Sequence, residues 1–244
     1  FSNIDKKIIY SLVNLKFENL IKFIKRNKKK FLIQNLINYH FGENNGYKFH
    51  RIDHHLSHLA SAFYPSGFSD ALGLSIDGMG DFCSVAISNC NLKKKNKIEI
   101  IKRIFYPNSL GIFYESITQF LGFNNYGDEY KVMGLAPYGE PKYKQLIYDH
   151  LINVKEDGSF KMNMDYFNYN VGLTMTSKKF NGLFGGPARK PESELTQKEM
   201  DIARSVQEVT EEIVLKMARH VRKVTKKKYL CLAGGVALNC VSNG

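Results

Sequence analysis

Tyr229-Leu230-Cys231-Leu232-Ala233-Gly234-Gly235-Val236-Ala237-Leu238-Asn239-Cys240 is the stretch that decides the fold class. Its first five residues suit a short buried strand, the Gly-Gly pair a tight turn, and Val236 onward the start of a helix. Immediately upstream, Thr196 and Glu199 form a capping box that opens a long helix. Ile202, Val206, Val209, Ile213, Met217, Val221 and Val224 recur along it at helical period, the stripe of a core-facing helix. Helix, strand, double glycine, helix start is how parallel α/β folds turn backbone amides toward a phosphate. A Gly-Gly turn also serves simple close packing of strand on helix. The expected class is α/β.

Further toward the N-terminus, residues 53–63 read Asp53-His54-His55-Leu56-Ser57-His58-Leu59-Ala60-Ser61-Ala62-Phe63. On a helix, His54 and His58 project from one face a turn apart, as ligands of a single metal ion must. His55 points about 100° away and cannot join them on that helix. Nineteen residues beyond His58 comes Asp77, at the end of the apolar run Ala71–Ile76 and followed by Gly78-Met79-Gly80-Asp81. A carboxylate at the mouth of a buried strand can supply the third ligand. Two imidazoles and a carboxylate with open positions suit an oxygen-preferring transition metal such as iron(II). An HxxxH pair also arises on helices whose histidines are simply half-buried or solvated.

Elsewhere, apolar residues at helical spacing predict helix over residues 6–40, with a second run at Phe31, Leu32, Leu36 and Ile37. A turn is expected at Gly42–Gly46, and a short strand over Tyr47–Ile52 delivers the histidine helix, which Tyr64-Pro65-Ser66-Gly67 stops. Ala71–Ile76, Phe82–Ser88 and Lys97–Tyr106 read as a strand meander. Ser109 caps a helix over Leu110–Leu121. Tyr126–Gly139 is too glycine-rich for a long helix, and helix resumes at 142–153. Residues 156–190 read as irregular with weak strand signals. No internal repeat or domain boundary stands out, so the sequence reads as one piece.

Lys+Arg number 35 against 23 Asp+Glu, a net charge of +12. The basic runs Lys25–Lys30, Lys93–Lys95 and Lys226–Lys228 lie at element ends or loops without interleaved aromatics, which argues against a nucleic-acid platform. No apolar stretch approaches the roughly 20 residues a membrane span needs. Four cysteines without a CxxC or a disulfide framework suit a reducing, cytoplasmic setting. The start at Phe1 suggests a piece of a longer product.

Taken together, DHHLSHLASAFYPSGF (53–68), LGLSIDGMGD (72–81), YGDEYKVMGLAPYGEP (126–141), GGPARKPESELTQKEMDIARS (185–205) and CLAGGVALNCVSNG (231–244) resemble the O-carbamoyltransferases of nodulation-factor and antibiotic biosynthesis. The resemblance covers residues 50–244 in order. It implies an actin-like, sugar-kinase-like (ribonuclease H-like) α/β fold, incomplete at both ends, related to the tRNA threonylcarbamoyl transferase. Residues 1–49 would be a helical lead-in and 50–244 part of a carbamoyl-transfer domain. Such enzymes make carbamoyl-adenylate from carbamoyl phosphate and ATP and pass the carbamoyl group to a small-molecule hydroxyl, here an acceptor containing a sugar. By the resemblance His54, His58 and Asp77 are ligands of iron(II) or another divalent metal. Gly234, Gly235, Val236 and Asn239 are the nucleotide site.

Asp81, Asp128, Glu129 and Lys131 are chemically able to serve the acceptor hydroxyl, but none is assigned as the base. The family's opening glycine-containing strand pair, a second aspartate ligand downstream of the GGVALN helix and the adenylate-forming domain all fall outside this sequence. The 244 residues alone are therefore expected not to turn over. A tRNA-modifying threonylcarbamoyl transferase and a non-catalytic nucleotide- or metal-binding remnant are the competing readings. No membrane partner is expected, and a homo-oligomer is compatible with the sequence.

Overall fold

A computed structural model describes residues 33–42, 48, 50–170 and 174–244. The helical run expected over 6–32, most of the 42–46 turn, and Tyr47 and Phe49 of the expected strand lie outside these residues. His50–Ile52 form no strand. The described residues divide into two compact units. One contains α1 (Ile33–Phe41), where the second apolar run predicted helix. The other, Asp53–Tyr169 with Thr174–Gly244, carries every remaining element.

That larger unit is built on a mixed four-stranded sheet in the order β3-β2-β1-β6. β1 (Asp70–Gly80), β2 (Cys83–Asn91) and β3 (Ile98–Phe105) form the expected antiparallel meander. β6 (Leu230–Ala233) lies parallel to β1, pairing Leu72 with Leu230 and Ser75 with Ala233. The parallel strand returns by way of the helices, as the sequence of the C-terminal third required.

Strand alternation assigns the two faces of β1. Leu72, Leu74 and Ile76 point into the main core, shared with α3 (Leu110–Phe120) and α7 (Gln197–Thr225). Ala71, Gly73, Ser75 and Asp77 face the opposite way, against α2 (His54–Phe63). Small residues on that face let the helix lie close. A Cβ on Gly73 would sit 2.6 Å from Leu59 Cδ2. The periods match: one turn of four residues rises ~6.0 Å, and two strand residues advance ~6.6 Å. Hence Phe63 meets Ala71, Leu59 meets Gly73, and His55 meets Ser75. The next step along the strand is Asp77, and the next residue at the helix start is His54.

α7 is the longest element among the described residues and begins with the predicted capping box at Thr196 and Glu199. Ile202, Val206, Val209, Ile213, Met217 and Val221 are buried as expected. Val224 is not: it is 65% exposed, one residue before the helix ends. α4 (Glu129–Leu135) and α5 (Lys144–His150) pack on α7. The helix expected over 142–153 ends at His150, and Ile152–Val154 instead form β4, which pairs with β5 (Phe160–Met162) of the stretch read as irregular; that stretch also contains a short helix, α6 (Lys178–Leu183). Its aromatics explain the order: Phe167, Phe180 and Phe184 are buried against Phe113 and Phe120 of α3. No helix among the described residues is long and apolar enough to cross a membrane.

Candidate metal centre and its glycine loop

α2 starts where two carboxylates satisfy its first amides. Asp53 is the N-cap, its Oδ1 accepting from Leu56 N at 2.9 Å. Asp81 reaches from the β1–β2 turn to accept from His54 N at 2.8 Å. Both place negative charge at the positive end of the helix dipole. The turn that aims Asp81 is a tight one. Asp81 and Phe82 connect Gly80 to Cys83 with φ of 51° and 62°, the positive-φ pair of hairpin turns that match strand twist. The cost of a left-handed Phe82 is local strain at the rim of the site.

The consequence is convergence at Asp77 Oδ2. His54 Nε2 lies 2.6 Å from it, His58 Nε2 lies 3.1 Å from it, and the two imidazole nitrogens are 3.1 Å apart. Ligands ~2.1 Å from one ion and at right angles to each other stand about 3.0 Å apart. The donor set therefore fits a small divalent cation on one face of its coordination sphere. Two imidazole lone pairs and a carboxylate oxygen turned toward one point also repel each other unless a proton or a cation lies between them. Among the described residues this is the one cluster of three or more His, Cys, Asp or Glu side chains able to hold a metal ion. The side chains of His54 and His58 are about a third exposed (38% and 32%), so the cluster is open to solvent on one side.

The other carboxylate oxygen of Asp77 faces the glycine loop. Asp77 Oδ1 accepts from Gly78 N at 2.8 Å and from Gly235 N at 3.2 Å. Burial opposes ionisation of Asp77, but the His54 and His58 rings and these two amides outweigh it and bring its pKa down to about 2. Ser109, the cap of α3, donates to Gly78 O at 2.5 Å and holds the end of β1 from the far side.

Two glycines are required by this packing. Gly234 has φ of 92°, and a Cβ there would meet Ile76 O at 2.3 Å. Gly80 lies under the His54 ring, where a Cβ would be 1.9 Å from Cδ2. After Gly234 the chain forms a 3-10 turn, Gly235–Leu238, and then a short helix α8 (Cys240–Asn243) rather than one continuous helix. Asn239 breaks it: its Oδ1 accepts from Ser242 N, and its side-chain amide pairs reciprocally with Gln207 of α7 at 3.0 Å. Tyr114 of α3 donates to the same Gln207 at 2.9 Å.

The structure thus brings His54, His58, Asp77 and Gly235 into one site, with Gly234 at the turn against β1. Val236 packs toward the main core. Asn239 is buried behind the loop, 3% exposed, with its amide engaged. Asp128 accepts from Asn125 N at 3.0 Å and pairs with Lys131 at 2.9 Å, while Lys131 lies over the Phe123 ring. Sequence reasoning missed Asp81 as the acceptor for the His54 amide, and the buried Tyr114–Gln207–Asn239 chain. An aspartate four residues past the third ligand was visible, but the hairpin turn that directs it was not. Gln207, a polar residue beside the apolar stripe of α7, was the only hint of the second.

Residues 14–244 match the family described as carbamoyltransferase N-terminus. The chain is 35% identical over 216 residues to the nodulation protein NolNO of Sinorhizobium fredii, covering 88% of this chain and 30% of that protein. It is 36% identical over 197 residues to the nodulation protein NolO of Bradyrhizobium diazoefficiens, 79% of this chain and 32% of the relative. An uncharacterised protein of Synechocystis is 52% identical over 192 residues, 79% of this chain and 31% of that one. The chain spans about a third of the length of the curated relatives it matches. With a family match over nearly its whole length, the chain belongs to the carbamoyltransferase N-terminus family.

Proposed function

We propose that this chain carries the transfer centre of an O-carbamoyltransferase. In this reading residues 50–244 adopt the actin-like topology of the family and act in the cytoplasm. His54, His58 and Asp77 hold iron(II) or another divalent cation, and carbamoyl-adenylate, made from carbamoyl phosphate and ATP, lies along Gly234-Gly235-Val236. The acceptor is the hydroxyl of a small, sugar-containing molecule. One observation carries the reading: Asp77 turns one oxygen to both imidazoles and the other to the amide of Gly235, so metal and glycine loop share a ligand group.

When bound, the metal supplies Lewis-acid polarisation and a template for phosphate or carbamoyl oxygens. The residues of the chain do the positioning. Gly78 and Gly235 amides keep the Asp77 carboxylate ionised and its Oδ2 directed at the histidines. Asp81 fixes the start of α2, and with it the height of His54 over the strand. Asn239 sets the exit of the glycine loop through Gln207.

The test uses the full-length protein with carbamoyl phosphate, ATP and a panel of sugars bearing free hydroxyls, read by product mass and by metal analysis. The expected products are a carbamoylated sugar and AMP, with orthophosphate released from carbamoyl phosphate and pyrophosphate from ATP. His58→Ala and Asp77→Asn should lose metal and lower turnover by more than the ~10–100-fold typical of an outer-shell loss. Full turnover by Asp77→Asn would overturn the metal assignment, and modified tRNA as the only product would overturn the substrate class.

A further inference from the structure

The far end of α7 is the strongest concentration of unbalanced charge among the described residues. Arg219, Arg222, Lys223 and Lys226 fall at i, i+3, i+4 and i+7 and share one face of the helix. Lys226 takes a left-handed conformation, φ 56°, which ends the helix and turns Lys227 and Lys228 back across it. These six cations line one concavity of about 420 Å³. Of these six, Lys227 alone forms an ion pair among the described residues, with Asp70 at the start of β1.

The helix dipole explains part of this, but not all. It presents roughly half a negative charge, felt within the last turn, whereas Arg219 lies further back. Like charges at i, i+4 destabilise a helix, so five unpaired cations around one hollow form an arrangement that a multivalent anion relieves. The hollow is open to solvent over most of its rim, so a compact anion can enter it and reach all six side chains. Tyr229, the neighbouring aromatic, already stacks on Phe68 (4.2 Å between centroids, 9° between planes) and carries the Lys228 ammonium at 5.3 Å. It offers no platform of the kind on which successive bases of a strand stack.

We propose that this hollow binds a compact polyphosphate anion, of the tripolyphosphate class, at a site separate from the metal centre. Asp70 opens β1 and Asp77 stands seven residues further along it, about 23 Å away. The site therefore does not depend on the carbamoyl-transfer reading.

Calorimetric titration of the full-length protein with tripolyphosphate, pyrophosphate and orthophosphate, at ionic strength held constant with NaCl, tests it. Saturable binding is expected, tightening with each added phosphate. The double variant Arg222→Gln/Lys223→Gln should weaken tripolyphosphate binding at least tenfold, and Lys226→Gln by a smaller factor. These side chains are exposed, so far-UV circular dichroism should be unchanged. Asp77→Asn should leave this binding intact, which separates it from any phosphate site at the glycine loop. Undiminished binding by the double variant, no saturable binding, or a tighter complex with a short oligonucleotide lost in the same variant would each overturn the proposal.

Discussion

Three histidines within five residues do two kinds of work. His54 and His58 face Asp77, while His55, about 100° round the helix, is wholly buried and anchors α2 to the sheet. Its Nε2 donates to Cys83 O at 3.0 Å, which leaves Nδ1 to accept from the Ser75 hydroxyl at 2.8 Å. Burial pushes its pKa down, so the neutral ring that these two bonds require is the one favoured. His55→Ala removes the ring and strands a buried hydroxyl and carbonyl; the expected cost is about 2–5 kcal/mol. Urea denaturation of the full-length protein checks it, and a loss under about 1 kcal/mol would mean the anchor is dispensable. Gly80→Ala acts differently. The methyl displaces the His54 ring without opening a cavity, so the fold should persist while metal affinity falls by ~10–100-fold, measured by equilibrium dialysis against wild type.

At the scale of elements, the site is a matter of register between α2 and β1. Gly73 is a point of close approach midway along the pair, hemmed by Ser88 Oγ and Leu59 Cδ2. Gly73→Ala should cost about 1–3 kcal/mol by overpacking, and Leu59→Ala about 2–5 by cavity formation. The double variant should cost less than the sum, because the new methyl takes up part of the vacated space. Strict additivity in chemical denaturation would mean that helix and strand do not interlock there. This register explains what was legible in the sequence. HxxxH spacing and the end of an apolar run named His54, His58 and Asp77, since helix period and strand parity are local properties. The contacts of Asp81 and Gln207 were not legible, because they depend on a turn geometry and on a crossing of distant elements. The continuous helix expected after Gly235 gave way to a 3-10 turn, because pairing with Gln207 and capping of α8 hold Asn239 outside the helix. The aromatics of 160–184 carried no period, yet they are ordered by packing on α3.

On the scale of the whole larger unit, α7 ties the site to the rest. Near its N-terminal end Asp201, 4% exposed, accepts from Glu140 N, Gln197 Nε2 and Lys142 Nζ at 2.8–2.9 Å. One turn later Ser205 accepts from Tyr143 N, and Glu212 binds Lys144 and Tyr148 at 2.6 Å each. The segment from Tyr138 to Tyr148 is thereby stapled along the helix that, through Gln207, also supports the glycine loop. The Glu140 amide, opposed by the group's partial loss of water and assisted by Gln197 and Lys142, holds Asp201 at a pKa of about 2, below its ordinary 3.8. A depressed carboxylate contributes stability that is fully present above the unfolded pKa and is lost as pH falls through the folded one. Asp201→Asn should therefore lower Tm at pH 7, by about 2–4 °C for each kcal/mol lost in a domain of this size. The gap from wild type should stay constant down to about pH 4, shrink between there and about pH 2, and close below. Scanning calorimetry of both proteins at pH 7, 4, 3 and 2 checks this. A gap as wide at pH 2 as at pH 7 would trace the effect to packing of the side chain, and the ionised staple would no longer account for how α7 holds segment and loop together.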